Sequence, residues 1–179
     1  MDHRKLVLMR HAKAEPVPSH GHTDFDRALM PRGKTDARAA AAWLIEHDLQ
    51  PQVVLVSTAV RAQQTWEAIS EGLASLDVKV AEIDVVDEPR IYDASPERLH
   101  DVLSDVADDT HTVLLIGHSP GIPDLIPQVV DPDASDQKAV DRFNRGFATS
   151  TLAAMDIDRP WQAIVAGTAT LTHVHTARL

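Results

Sequence analysis

No cysteine occurs among the 179 residues of this chain. That excludes a disulfide framework, a thiolate nucleophile and any zinc site built on cysteine. Glycine and proline are sparse too, at 7 and 11 residues, so collagen-like and disordered classes do not fit. A basic surface is also lacking: 17 Lys and Arg stand against 27 Asp and Glu, a formal charge of −10. General nucleic-acid binding needs the opposite balance, because phosphates must be neutralised along a surface. A local basic pocket for a single phosphate remains compatible with it. No run approaches the ~18 apolar residues of a membrane-spanning helix. The basic start DHRK leads into an apolar run too short for a secretion signal, with no small-residue cleavage pattern behind it. The expectation is a soluble, cytoplasmic protein, away from membranes and nucleic acid.

What is present is ordinary globular material, with 44% apolar residues and enough length for one sizeable core. There is no repeat, low-complexity tract or linker-like shift, so residues 1–179 read as one domain. Short apolar runs at 5–9, 53–57 and 112–117 read as buried strands, and 79–86 as a further strand. Between them the apolar residues recur at helical spacing over 33–48, 62–76 and 96–106. The last of these is opened by Ser95 as cap, with Pro96 first and Glu97 in the first turn. Residues 12–32, broken by Pro16, Pro18, Gly21 and Pro31, read as a loop. Residues 121–146 read as helices with proline breaks. The chain closes with an antiparallel pair turning at Asp158-Arg159-Pro160. Continuous apolar strands alternating with helices imply an α/β fold: a mostly parallel central sheet in three layers, with helices on both faces.

The strands of greatest apolar content end alike. LVLM runs into Arg10-His11, VVLV into Ser57 and Arg61, and TVLLIG into His118-Ser119. Ligands of open α/β sheets bind beyond the carboxyl ends of the strands. Parallel strands would therefore gather Arg10, His11, Arg61 and His118 at one edge. Two guanidiniums and two imidazoles there suit a tetrahedral dianion such as phosphate.

In this order the motifs resemble the histidine phosphatase superfamily. Its Arg-His-Gly signature stands here as Arg10-His11-Ala12. Its Ser-x-x-x-Arg-x-x-x-Thr pattern is matched by Ser57, Arg61 and Thr65, and its second histidine by "LLIGHSP". "DFDRALMPRGKTDA" is similar to the family's Asp-x-x-Arg-x-Leu-x-x-x-Gly element through Asp24, Arg27, Leu29 and Gly33. The short chain leaves little room for the long insertions of mutase-like members, and "RIYDASPERL" also resembles the small SixA-type phosphohistidine phosphatases. The resemblance implies a phosphoglycerate-mutase-like fold and a phosphatase without metal or other cofactor. It implies His11 as nucleophile, with Arg10, Arg61 and His118 holding the phosphoryl group and Arg27 and Ser119 as further substrate contacts. Ala12 in place of glycine asks whether the backbone there needs positive φ.

Larger family members carry a carboxyl acid between the second arginine and the second histidine. Glu88 and Asp93 are the candidates here, and Glu88, nearer the end of the strand at 79–86, is preferred. Arg27 could equally tie its loop to Asp24 or Asp26. His173 and His175 share a face of the last strand without the spacing of a catalytic zinc helix. The implied partner is a phosphorylated protein carrying phosphohistidine. Small phosphate esters or nucleotides are the alternative substrates, and a non-catalytic phosphate-binding module is the third reading.

Overall fold

The computed structural model describes residues 4–18 and 20–178. Six strands form one sheet: β1 (Arg4–Arg10), β2 (Val53–Val56), β3 (Asp84–Asp87), β4 (Thr112–Gly117), β5 (Thr151–Ile157) and β6 (Ala169–Thr176). Their order is β3-β2-β4-β1-β5-β6. The first four neighbours are parallel, while β5 and β6 are antiparallel additions on the β1 side. The register sets Met9 beside Ile116 and Val56 beside Ile116, so the ends of β1, β2 and β4 lie at one edge.

Alternation along these strands divides the core in two. Val7, Met9, Val54, Val56, Leu114 and Ile116 face one side, against helices α1 (Pro31–Glu46) and α2 (Val60–Ser75). Leu6, Leu8, Leu55, Val113 and Leu115 face the other. There they meet α3 (Pro96–Ser104), α4 (Gly121–Val129) and α5 (Gln137–Asn144). Strands covered on both faces need apolar residues at every position, which is why they read as unbroken runs rather than alternating ones. The three-layer α/β arrangement is the expected one.

Three local expectations shift. The first long helix begins at Pro31 rather than Gly33, because proline fits the first helical turn. Residues 79–86 do not form one strand: Val80–Glu82 make a 3-10 turn, and only the exposed edge strand Asp84–Asp87 follows. An edge strand with all four residues exposed has no burial to lengthen it. The link between β5 and β6 is no tight turn at 158–160. Trp161 lies in a 3-10 turn with its side chain fully buried, and its indole N–H donates to the carbonyl of Thr110. That bond satisfies the one polar atom of a large apolar group.

Gly33 shows how closely α1 approaches the site. A Cβ there would lie 2.1 Å from the carbonyl oxygen of Lys13, two residues beyond His11. The same oxygen accepts from the Met30 amide. The glycine of the sequence element is thus a contact between a helix and the segment that carries His11.

Candidate active site

Arg10 ends β1, and His11 follows it immediately. The imidazole is buried, with 6% of the residue exposed. Its Nδ1 lies 2.8 Å from the carbonyl oxygen of Ala12. A carbonyl only accepts, so Nδ1 carries the proton and donates it. Nε2 is left with its lone pair, and it accepts the Nε–H of Arg61 at 3.2 Å. Two neighbours thus specify the same tautomer. Burial pushes the pKa of His11 down to about 4; the Ala12 bond opposes this, and the charges of Arg61, Arg10 and Arg27 reinforce it. The ring is therefore neutral at neutral pH, with one nitrogen available as a nucleophile. An NMR titration of the His11 ring is expected to show a midpoint near pH 4, with the neutral form persisting above it. A midpoint near 6.5 would refute the environment described here.

Backbone bonds hold the turn after His11. The Ala12 amide donates to Oγ1 of Thr65 at 3.0 Å, and that hydroxyl donates to the Arg61 carbonyl at 2.7 Å. Thr65 therefore ties the His11 turn to the first turns of α2. Ala12 is fully buried and is not among the described residues with positive φ, so a side chain at this position carries no backbone strain. A left-handed residue stands behind the strand end instead: Ser150, at φ 62°. Its amide reaches the carbonyls of both Arg10 and His11, at 3.2 and 3.1 Å. A non-glycine residue held there at a cost of about 1 kcal/mol fixes the strand end from behind.

Arg61, near the start of α2, is 6% exposed and makes three kinds of contact. Besides His11, it donates to the Asp24 carbonyl at 2.6 Å and to Asp24 Oδ2 at 2.9 Å. The Asp24 carboxylate also accepts from Arg27 at 2.7 Å and from the Tyr92 hydroxyl at 3.0 Å. Partial burial raises the pKa of Asp24, but Arg27, Tyr92 and Arg61 outweigh it and hold the carboxyl at about 2. The site thus contains a permanently ionised aspartate that moors the loop 15–30 to its floor. Sequence reading named Asp24 as one possible partner of Arg27. It did not foresee the bond to Arg61, 37 residues away.

His118 follows β4, its ring centroid 5.2 Å from that of His11. Burial, then the neighbouring charges of His11 and Arg61, push its pKa down to about 3. Its Nε2 lies 2.7 Å from Oγ of Ser57. Arg10 donates to the Phe147 carbonyl at 3.0 Å. Among the described residues, its Nε and the Nδ1 of His118 have no hydrogen-bond partner, although both are buried.

Arg10, His11, Asp24, Arg27, Arg61, Tyr92 and His118 border one cavity of about 340 Å³, which Asp93, Ser119 and Thr149 also line. Its wall carries four cationic side chains, Arg10, Lys13, Arg27 and Arg61, against two carboxylates, Asp24 and Asp93. The net charge suits a single dianion. Arg10 and His118 both line the cavity, and guanidinium and imidazole N–H groups are suited to phosphoryl oxygens. The expected set Arg10, His11, Arg61, His118, Arg27 and Ser119 is therefore brought together.

Glu88 is not, and the preference for it is corrected. Its carboxylate turns onto Arg90, accepting from the Arg90 amide, Nε and guanidinium nitrogen at 2.9, 2.9 and 2.7 Å. It borders a separate cavity beside Asp105 and Val102. Its bonds with Arg90 also lower its pKa, so it keeps no proton to donate at neutral pH. Asp93, the other candidate, does line the site, with a left-handed backbone at φ 52°. His173 and His175 lie far round the sheet on β6, where the ring of His175 stacks on Trp43.

The comparisons with known proteins agree with this geometry. The family description "Histidine phosphatase superfamily (branch 1)" matches residues 6–88. An uncharacterised protein of Mycobacterium tuberculosis is 31% identical over 170 residues, covering 95% of this chain and 100% of that protein. A solved structure assigned as the phosphohistidine phosphatase SixA of Nakamurella multipartitia is 31% identical, with a TM-score of 0.79. The match covers 98% of this chain and 96% of the other. A second, assigned as SixA of Agrobacterium tumefaciens, is 25% identical with a TM-score of 0.73, covering 96% and 97%. Shared sequence along nearly the whole chain and a common fold make this chain a phosphatase of the histidine phosphatase superfamily, in its SixA-type branch.

Proposed function

We propose that the protein removes a phosphoryl group by way of a phosphohistidine on His11, without a metal, and that its substrate is phosphohistidine in a protein partner. The observation that carries the first part is the tautomer of His11, with Nδ1–H held by Ala12 and the lone pair on Nε2, which attacks phosphorus once it exchanges its bond from Arg61 for the substrate. Nε2 forms a bond to phosphorus as the bond from phosphorus to the leaving group breaks. Water then attacks the phosphoenzyme, the N–P bond breaks, and the water's proton leaves with the phosphate product. Arg10, Arg61 and His118 supply donors for the oxygens in both steps. Arg27 and Ser119, at the rim, contact the substrate beyond its phosphoryl group.

The substrate class follows from the leaving group. An alkoxide needs a proton as it departs, and a buried acid with a raised pKa would supply one. Glu88 and Asp24 are both held ionised. That leaves Asp93 as the carboxyl that can approach a leaving group. A site poor in acid suits the ring nitrogen of phosphohistidine, which leaves with less help. Similarity to structures assigned as SixA supports the same choice. No helix of the described residues is long and apolar enough to cross a membrane, and we take the cytoplasm as the place of action.

The test is a side-by-side assay, in excess chelator, of a phosphohistidine protein, a sugar phosphate and a nitrophenyl phosphate, with wild type and Asp93→Asn. The phosphohistidine protein is expected to turn over fastest. Asp93→Asn is expected to slow the sugar phosphate most, because the worst leaving group depends most on acid. A sugar phosphate preferred over the phosphohistidine protein would overturn the substrate assignment. Activity lost to chelator and restored by a divalent ion would overturn the metal-free mechanism.

A further inference from the structure

The motif around Arg61 places Ser57 four residues before it and Thr65 four after. Thr65 ties down the turn at His11, as described. The mechanism above makes no use of Ser57, yet Ser57 is fully buried directly behind His118. Its hydroxyl oxygen accepts the amide N–H of Ala59 at 3.3 Å and lies 2.7 Å from Nε2 of His118.

We propose that Ser57 is a positioning residue that holds His118 as its Nδ1–H tautomer, so that the neutral ring donates a hydrogen bond to the phosphoryl group on His11. The proposal rests on the phosphatase reading of His11. The hydroxyl has one proton to give and two lone pairs to fill. Ala59 fills one lone pair. Among the described residues, the acceptor within reach of the hydroxyl proton is Nε2 of His118. If Nε2 itself carried a proton, Ser57 would accept twice, and its own proton would be buried without an acceptor. Buried donors left in that condition are costly, and native structures avoid them. Ser57 therefore donates, Nε2 accepts, and the ring proton is placed on Nδ1.

Nδ1 is the nitrogen that has no partner among the described residues. Because His118 is held neutral, it has one ring proton, and its position decides what the ring can do. With the proton on Nδ1, the ring offers a donor to a negatively charged oxygen. With the proton on Nε2, it would turn a lone pair toward that oxygen and repel it. A hydroxyl behind the ring thus converts an uncharged histidine into a fixed donor, much as groups behind a metal ligand fix its tautomer.

The experiment uses the whole protein labelled with ¹⁵N-histidine. Long-range ¹H–¹⁵N spectra distinguish a protonated from a bare ring nitrogen, and His118→Gln identifies the His118 signals. Wild type is expected to show Nδ1 protonated and Nε2 bare. In Ser57→Ala the His118 signals should move toward the Nε2–H form, and kcat on nitrophenyl phosphate should fall about tenfold or more. That is a smaller loss than removing a direct transition-state donor. Ser57→Thr keeps the hydroxyl and should retain the wild-type tautomer and most of the turnover. Circular dichroism melts establish that the variants fold. Nε2–H in wild type would overturn the proposal, as would Ser57→Ala losing turnover with its tautomer unchanged, which would mean a packing role. Absence of turnover on every phosphate substrate would instead overturn the reading of His11, while the spectrum would still decide the tautomer.

Discussion

Brief mixing with a substrate labelled in its phosphoryl group, followed by an alkaline quench, is expected to leave the label on His11. The bond should survive alkali and be lost in acid, as phosphoramidates are. His11→Ala should carry no label and show no turnover above background. The expectation follows from the local geometry: the Nδ1–H of His11 is committed to the Ala12 carbonyl, so the covalent bond can form only at Nε2. His118 is the other imidazole among the described residues that line the cavity, with its Nε2 2.7 Å from the Ser57 hydroxyl oxygen. Acid-stable label, or label that persists in His11→Ala, would remove His11 from the role of nucleophile.

The second large effect is expected at Arg61. Arg61→Ala should lower turnover by about 100-fold or more, equivalent to about 2.7 kcal/mol of transition-state stabilisation. Arg61→Lys should recover part of this, since a point charge replaces the net charge but not the planar fork. Arg61 touches both His11 and Asp24, so its loss also frees a carboxylate at the floor of the site. Asp24→Asn separates the two effects, because it loosens the loop while keeping the guanidinium. If Arg61→Ala and Asp24→Asn lose the same activity, Arg61 acts by mooring the loop. If Arg61→Ala turns over at the wild-type rate, Arg61 does not act on the phosphoryl group.

The strand ends were legible in the sequence because their signal is local. Each apolar run stops at a polar residue, and a parallel sheet carries such ends to one edge. Arg10, His11, Arg61 and His118 could therefore be assembled without coordinates. Glu88 could not be judged this way. Its position just after β3 is right for the site, but Arg90, two residues on, captures its carboxylate from the other side. Sequence distance from a strand does not say which way a side chain turns. The bond from Arg61 to Asp24, and the place of Tyr92 beside it, were hidden for a different reason. Both residues lie in irregular segments with no period to read, and their value comes from meeting Arg61 across the cavity. Trp161 misled in the same sense: an aromatic after a proline looks like the start of a strand, and only the buried Thr110 carbonyl explains the turn it makes.

The place of β1 in the sheet bears on how the protein is made. Its neighbours are β4 and β5, with Lys5 beside Thr112 and Leu6 beside Met155. The strand that delivers His11 leaves the ribosome well before β4 and β5, the two strands it pairs with. Until they follow, a run of apolar residues waits with unpaired amides and carbonyls, a state open to wrong pairing. Contacts so distant along the chain also make for slow folding. Phosphatase activity thus arrives only when β4 and β5 have paired on either side of β1.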